Sequence, residues 1–98
     1  DLTAVKPVTT PEGFSLSQNY PNPFNPTTTI DFTLNEAANV KLQVYNLRGQ
    51  LIETLVDGYK NASTYNVVFD GANYASGTYI YRLSIGNASE VKKMVLLK

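Results

Sequence analysis

The sequence predicts an all-β domain, a seven-stranded immunoglobulin-like β-sandwich, on three observations. From Phe14 onward, apolar and polar residues alternate with the period of two that a half-buried strand requires. Turn residues break that alternation about every eight to twelve residues, the spacing of sandwich strands. No stretch of useful length repeats its apolar residues at helical spacing. At 98 residues the chain is one domain at most. Folding at this size buries roughly 60 to 68% of the unfolded surface, enough for a single modest core.

Composition narrows the function. Lys+Arg 8 against Asp+Glu 8 leaves no electrostatic footprint for nucleic acid or an anionic membrane. The lack of Cys removes disulfide staples and thiolate nucleophiles alike. The lack of His removes the commonest general base and metal ligand. No apolar run approaches the length of a membrane span, and Asp1-Leu2-Thr3-Ala4 is not a signal peptide. A chain that opens on Asp is expected to be a piece of something longer, with any export leader upstream.

Residues 1–13 hold Pro7 and Pro11, a Thr pair and no apolar period, which reads as a semi-extended linker. The domain is expected over residues 14–98. An entry strand near Phe14 to Asn19 leads into Gln18-Asn19-Tyr20-Pro21-Asn22-Pro23-Phe24-Asn25-Pro26-Thr27. The prolines fix φ, remove backbone donors and push Tyr20, Asn22 and Asn25 toward extended conformations, so neither a helix nor a central strand forms there. The expectation is an extended or turning edge with Tyr20 and Phe24 as aromatic plugs and Asn side chains bonding nearby backbone.

In the strand from Thr28 to Leu34, Ile30, Phe32 and Leu34 face the core, opposite Thr29, Asp31 and Thr33. After Asn35 to Asn39 turns the chain, Val40, Leu42 and Val44 point inward, and Lys41, Gln43 and Tyr45 outward. Gly49 closes the turn Asn46-Leu47-Arg48-Gly49 at a position of positive φ, and Leu51 to Val56 return antiparallel. Ile52 and Leu55 differ in parity, so either a bulge shifts the register or only part of that run pairs. Asp57 to Ala62 reads as a loop. Tyr65, Val67 and Phe69 then alternate with Asn66, Val68 and Asp70. A longer connection from Asp70 to Gly77 has glycines that mark tight backbone. Tyr79, Tyr81, Leu83 and Ile85 line the next inner face, and Gly86 to Ser89 turns into a last run from Val91 to Leu97.

Candidate chemistry is sparse. Acid catalysis needs two carboxylates converging in a cleft, whereas Asp31, Glu36, Glu53, Asp57, Asp70 and Glu90 fall on outward parities or in loops. Asp57-Gly58 and Asp70-Gly71 lack the acidic density of a calcium loop and read as turns. No catalytic residue, metal site, cofactor, nucleic acid or small-molecule substrate is expected. Tyr65, Tyr79 and Tyr81 share parity with aliphatic residues and belong to the core or its boundary, leaving Tyr45, Tyr59 and Tyr74 as candidate exposed rings for sugar stacking. Asn61-Ala62-Ser63 and Asn87-Ala88-Ser89 are formal glycosylation sequons, meaningful only in a eukaryotic secretory host. The terminal strand is unusual: Met94-Val95-Leu96-Leu97 is apolar on both faces, which ordinary edge strands avoid. Either it is central and covered on both sides, or its outer face or free edge, flanked by Lys92, Lys93 and Lys98, is what a partner recognises.

The run from Gln18 through Pro21 and Pro26 to Phe32 resembles the opening of C-terminal sorting domains of the bacterial type IX secretion system. Related sequences occur in the immunoglobulin-like domain of flagellar hook-capping proteins. Val44-Tyr45-Asn46-Leu47-Arg48-Gly49, Ala75-Ser76-Gly77-Thr78-Tyr79-Ile80-Tyr81-Arg82-Leu83 and Lys93-Met94-Val95-Leu96-Leu97-Lys98 look similar in the same order. The resemblance covers Phe14 to Lys98. Its structural signature residues are Tyr20, Pro21, Asn22, Pro23, Phe24, Gly49, Gly77 and Tyr79. It implies a non-catalytic address that sends an attached N-terminal passenger through the periplasm and across the outer membrane to the cell surface. The implied recognition residues are Lys93, Met94, Val95, Leu96, Leu97 and Lys98. The implied partners are the outer-membrane secretion machinery and its processing or anchoring protease, with cleavage within residues 1–13. Two alternatives remain: a structural spacer like the hook-capping domain, and a carbohydrate-binding module.

Overall fold

A computed structural model describes residues 13–98, so the linker expected over residues 1–13 lies outside the described residues except for Gly13. The seven expected strands are present: β1 (Phe14–Leu16), β2 (Thr27–Leu34), β3 (Ala38–Asn46), β4 (Leu51–Lys60), β5 (Ser63–Asp70), β6 (Gly77–Ile85) and β7 (Ala88–Leu96). They form a three-stranded sheet in the order β1-β2-β5 and a four-stranded sheet in the order β4-β3-β6-β7, with every ladder antiparallel. This is the immunoglobulin-like sandwich that the alternation requires.

Between the sheets lie the residues whose parity points inward. Ile30, Phe32 and Leu34 of β2, Val40, Leu42 and Val44 of β3, Phe69 of β5, and Tyr79, Tyr81 and Leu83 of β6 are all buried. Aromatic pairs tie this core together. Phe32 stacks on its cross-strand partner Tyr65, with ring centres 5.2 Å apart, and Phe69 stacks on Tyr74 at 5.8 Å.

The parity conflict in β4 has a physical resolution. Leu42 pairs with Val56 and Gln43 with Thr54, skipping Leu55; Val44 pairs with Glu53 and Tyr45 with Leu51, skipping Ile52. Two bulges absorb the extra residues, and Ile52 and Leu55 both pack against the core despite their opposite parity. The loop expected from Asp57 to Ala62 is a correction. β4 runs on to Lys60, because Lys41, Val40, Asn39 and Ala38 of β3 continue to pair with Asp57, Gly58, Tyr59 and Lys60. A full ladder of backbone hydrogen bonds outweighs the turn preference of a single Asp-Gly pair.

Between β3 and β4, the Asn46 carbonyl accepts the Gly49 N–H at 3.0 Å, while Asn46 Oδ1 accepts the Arg48 and Gln50 N–H groups. Gly49 takes φ +84° with open space where a Cβ would stand. Its role is therefore conformational, and Gly49→Val is expected to cost more than about 1 kcal/mol through backbone strain. An unchanged melting temperature would contradict that account.

Candidate functional site

The site grows out of the last strand. Among the described residues β7 pairs with β6 alone, so it is an edge strand, and the reading that covered it on both sides is corrected. Alternation sends Met94 and Leu96 into the core, both fully buried, while Lys93 and Leu97 are exposed and Val95 is half-buried. An edge of this composition exposes a row of backbone donors and acceptors. Here the proline segment covers its distal half.

Phe24 donates its N–H to the Val95 carbonyl at 2.9 Å and accepts the Leu97 N–H at 2.9 Å, a single parallel bridge. Asn22 Oδ1 accepts the Val95 N–H at 2.9 Å, and Gln18 Nε2 donates to the Lys93 carbonyl at 2.6 Å. A proline-rich strand cannot form a continuous ladder. This segment instead uses one backbone residue and two amide side chains. Its three X-Pro bonds, at Pro21, Pro23 and Pro26, are cis.

Phe24 anchors the clasp. Its ring is buried and meets Phe69 edge-on at 6.0 Å. Beside it runs the backbone of Gly71, whose N–H bonds the Pro26 carbonyl at 2.8 Å. A Cβ on Gly71 would come within 3.0 Å of Leu96 Cδ2 and 3.3 Å of the Phe24 ring, so a larger residue would require these side chains to shift. The other plug is a correction: Tyr20 is 52% exposed, with its hydroxyl on the Asp31 carboxylate at 3.0 Å. The chain turns at Pro21, and alternation no longer governs which ring faces inward.

The segment is also held from beneath. Tyr81 OH donates to the Ser17 carbonyl at 2.7 Å and accepts the Asn19 N–H at 2.8 Å. Asn19 is buried, and its Nδ2 donates to Thr28 Oγ1 and the Pro21 carbonyl. Burial pushes the Tyr81 hydroxyl up to about 12, against the ordinary 10.0, partly offset by the Asn19 N–H. The folded state thus keeps a proton that the unfolded chain releases. That stability is complete below pH 10.0 and is lost as pH rises through about 12. Denaturant midpoints are therefore expected to fall across that window, and less steeply in Tyr81→Phe. A flat profile would show that the hydroxyl is not so confined.

Lys98 is not a free handle. Its N–H bonds Ser76 Oγ at 3.0 Å, and its Nζ donates to the Ala72 carbonyl at 2.6 Å. Of the six expected recognition residues, Met94 and Leu96 serve the core, while Lys93, Val95, Leu97 and Lys98 lie toward the outside. Gly77 opens β6 opposite Leu96, and Tyr79, buried beside Met94 in the ladder, donates its hydroxyl to the Ala75 carbonyl. The side chains of Asn22 and Gln18 and the backbone of Gly71 had no sequence-level role assigned in this clasp. Their partners lie far away in sequence, 73 residues for Asn22 and 75 for Gln18.

The three candidate sugar-stacking rings do not meet. Tyr74 is packed on Phe69 with its hydroxyl on Glu53, Tyr45 lies under the Arg82 guanidinium at 5.2 Å, and Tyr59 stands exposed on β4. No group of three or more acidic, His or Cys side chains that could hold a metal occurs among the described residues.

The fold is an immunoglobulin-like sandwich whose last strand is bonded by β6 on one side and by the proline segment on the other. The family model of the secretion system C-terminal sorting domain matches residues 18–97, and the chain belongs to that family. It is a C-terminal sorting signal of a secretion system, and such domains imply export to the outer membrane or cell surface and contact with the secretion machinery. Among solved structures, dimeric latent PorU from Porphyromonas gingivalis is similar in fold. The match has a TM-score of 0.68 at 19% identity and covers 86% of this chain and 9% of that one. No curated protein matches the chain.

Proposed function

We propose that the sandwich is the terminal address of a passenger joined through residues 1–13, and that the secretion machinery reads the outward side of the clasped end of β7. The supporting observation is the clasp itself, which fixes Lys93, Val95, Leu97 and Lys98 in one arrangement while their neighbours Met94 and Leu96 anchor them to the core. Rigid presentation lowers the ordering cost of recognition. In this reading the domain crosses the periplasm with its passenger. A processing or anchoring protease then cuts between them, upstream of the sandwich. The domain itself performs no chemistry.

The test changes only outward side chains: Lys93→Glu with Leu97→Asp, both at exposed positions and so of small expected stability cost. The double variant is expected to keep its circular dichroism spectrum and melting temperature while a fused passenger accumulates in the periplasm of a bacterium that has this machinery. Normal surface delivery would overturn the assignment and favour a spacer.

A further inference from the structure

The proximal half of β7 carries an interaction surface of its own. The clasp ends at Lys93, and the hairpin turn at Gly86 and Asn87 ends the strand on the other side. Between them, the edge from Ser89 to Lys93 has no partner strand among the described residues. The groups bonded by the clasp are the backbones of Lys93, Val95 and Leu97, so the outward-facing positions along this edge are the odd residues, including Ser89 and Val91. Val91 is also 51% exposed, large and apolar. The other edges differ. β1 is three residues long and β4 carries two bulges, both ways of blunting an edge. β5 is regular, but its only charged residue is Asp70.

We propose that this edge pairs with the same edge of a second copy of the chain, antiparallel and centred on Val91. The free stretch is nearly symmetric about that residue, and this register lets both copies use all of it except the Ser89 N–H, whose counterpart, the Lys93 carbonyl, is held by Gln18. Val91 exchanges its backbone hydrogen bonds with its counterpart, and the Lys93 N–H of each copy meets the Ser89 carbonyl of the other. The charges then complement one another. Glu90 of each copy lies opposite Lys92 of the other, extending the contact of 3.7 Å that the two side chains already make within one chain. Sliding the ladder by two residues either way puts Glu90 opposite Glu90 or Lys92 opposite Lys92. Parallel in-register pairing places like charges opposite like throughout. Opposite charges across a ladder stabilise it, and like charges destabilise it. The alternating Glu90-Val91-Lys92 therefore selects one arrangement, an isologous two-fold contact.

Paired this way, two four-stranded sheets become one continuous sheet. Its outer side joins the two shallow grooves of about 340 Å³ that are lined by Tyr45, Gly49, Ile80, Arg82 and Val91. Contacts of this small size are weak and transient in dilute solution. This inference is independent of the reading proposed for the outward side of residues 93–98, because it concerns the edge the clasp leaves open.

Because the chain has no cysteine, a single one reports proximity cleanly. In a hydrogen-bonded antiparallel pair the opposed Cα atoms are about 5.5 Å apart, a separation that suits a disulfide. Val91→Cys under mild oxidation is expected to form covalent dimers at least about tenfold faster than Val68→Cys, because pairing raises the effective thiol concentration. Val68 is 62% exposed on the opposite sheet and serves as the control. Adding Lys92→Glu should abolish the advantage, and adding both Glu90→Lys and Lys92→Glu should restore it. Circular dichroism of each variant confirms that the monomer stays folded. Equal rates at the two positions would overturn the proposal. So would a Val91→Cys rate insensitive to charge reversal, since any dimer would then be built in another way.

Discussion

Phe69→Ala is expected to destabilise the domain by about 3 to 5 kcal/mol. The ring is fully buried at the crossing of three elements, with Phe24 of the proline segment edge-on at 6.0 Å and Tyr74 of the β5–β6 connection stacked at 5.8 Å. Truncation leaves a cavity that these neighbours can fill only by releasing the clasp. A domain of this size has a total stability of about 5 to 15 kcal/mol, so the loss is a large share of it. Phe32→Ala belongs to the same class, since its ring is buried and stacked on Tyr65. Urea titration measures both. A change within about 1 kcal/mol of the parent would mean that the ring's neighbours repack without cost, contrary to the close packing of protein cores.

Deletion of Met94 to Lys98 is expected to abolish export of a fused passenger, chiefly by unfolding the domain. It removes two fully buried side chains, Met94 and Leu96. Each is worth about 2 to 5 kcal/mol by truncation alone. It also removes the Val95 N–H that Asn22 accepts and the Val95 carbonyl and Leu97 N–H that the Phe24 backbone uses. Circular dichroism should show loss of the β signal, and fractionation should find no passenger at the surface. A deleted chain that folds and is retained would instead isolate recognition as the cause. One that folds and is exported normally would remove the terminal strand from the sorting mechanism.

The fold was legible because alternation is dictated locally: each strand must turn one face to the core, and Ile30, Phe32, Val40, Leu42, Tyr81 and Leu83 do so as their parity requires. Gly49 was legible for the same reason, since its turn closes within four residues. The site was legible only in part. Its residues sit in the two most distinctive stretches, the proline run and the terminal strand, yet parity cannot say that these stretches touch. Asn22 reads as a residue that bonds nearby backbone, and in the fold it bonds Val95. Tyr20 and Phe24 look equivalent as plugs, and the chain reversal between them buries one and exposes the other. β4 was underestimated because an Asp-Gly pair signals a turn by itself, whereas pairing with β3 extends the strand through it.

The clasp also orders events in time. Asn22 and Phe24 enter the chain early and their partners Val95 and Leu97 at its far end, so the edge cannot close until Val95 and Leu97 have been synthesised. Contacts this distant in sequence form late and slow the approach to the native state. A chain cut between Gly71 and Val95 keeps the proline run and its contact with Gly71 but lacks the partners of Asn22 and of the Phe24 backbone. Closing the clasp therefore requires that translation has passed through Leu97.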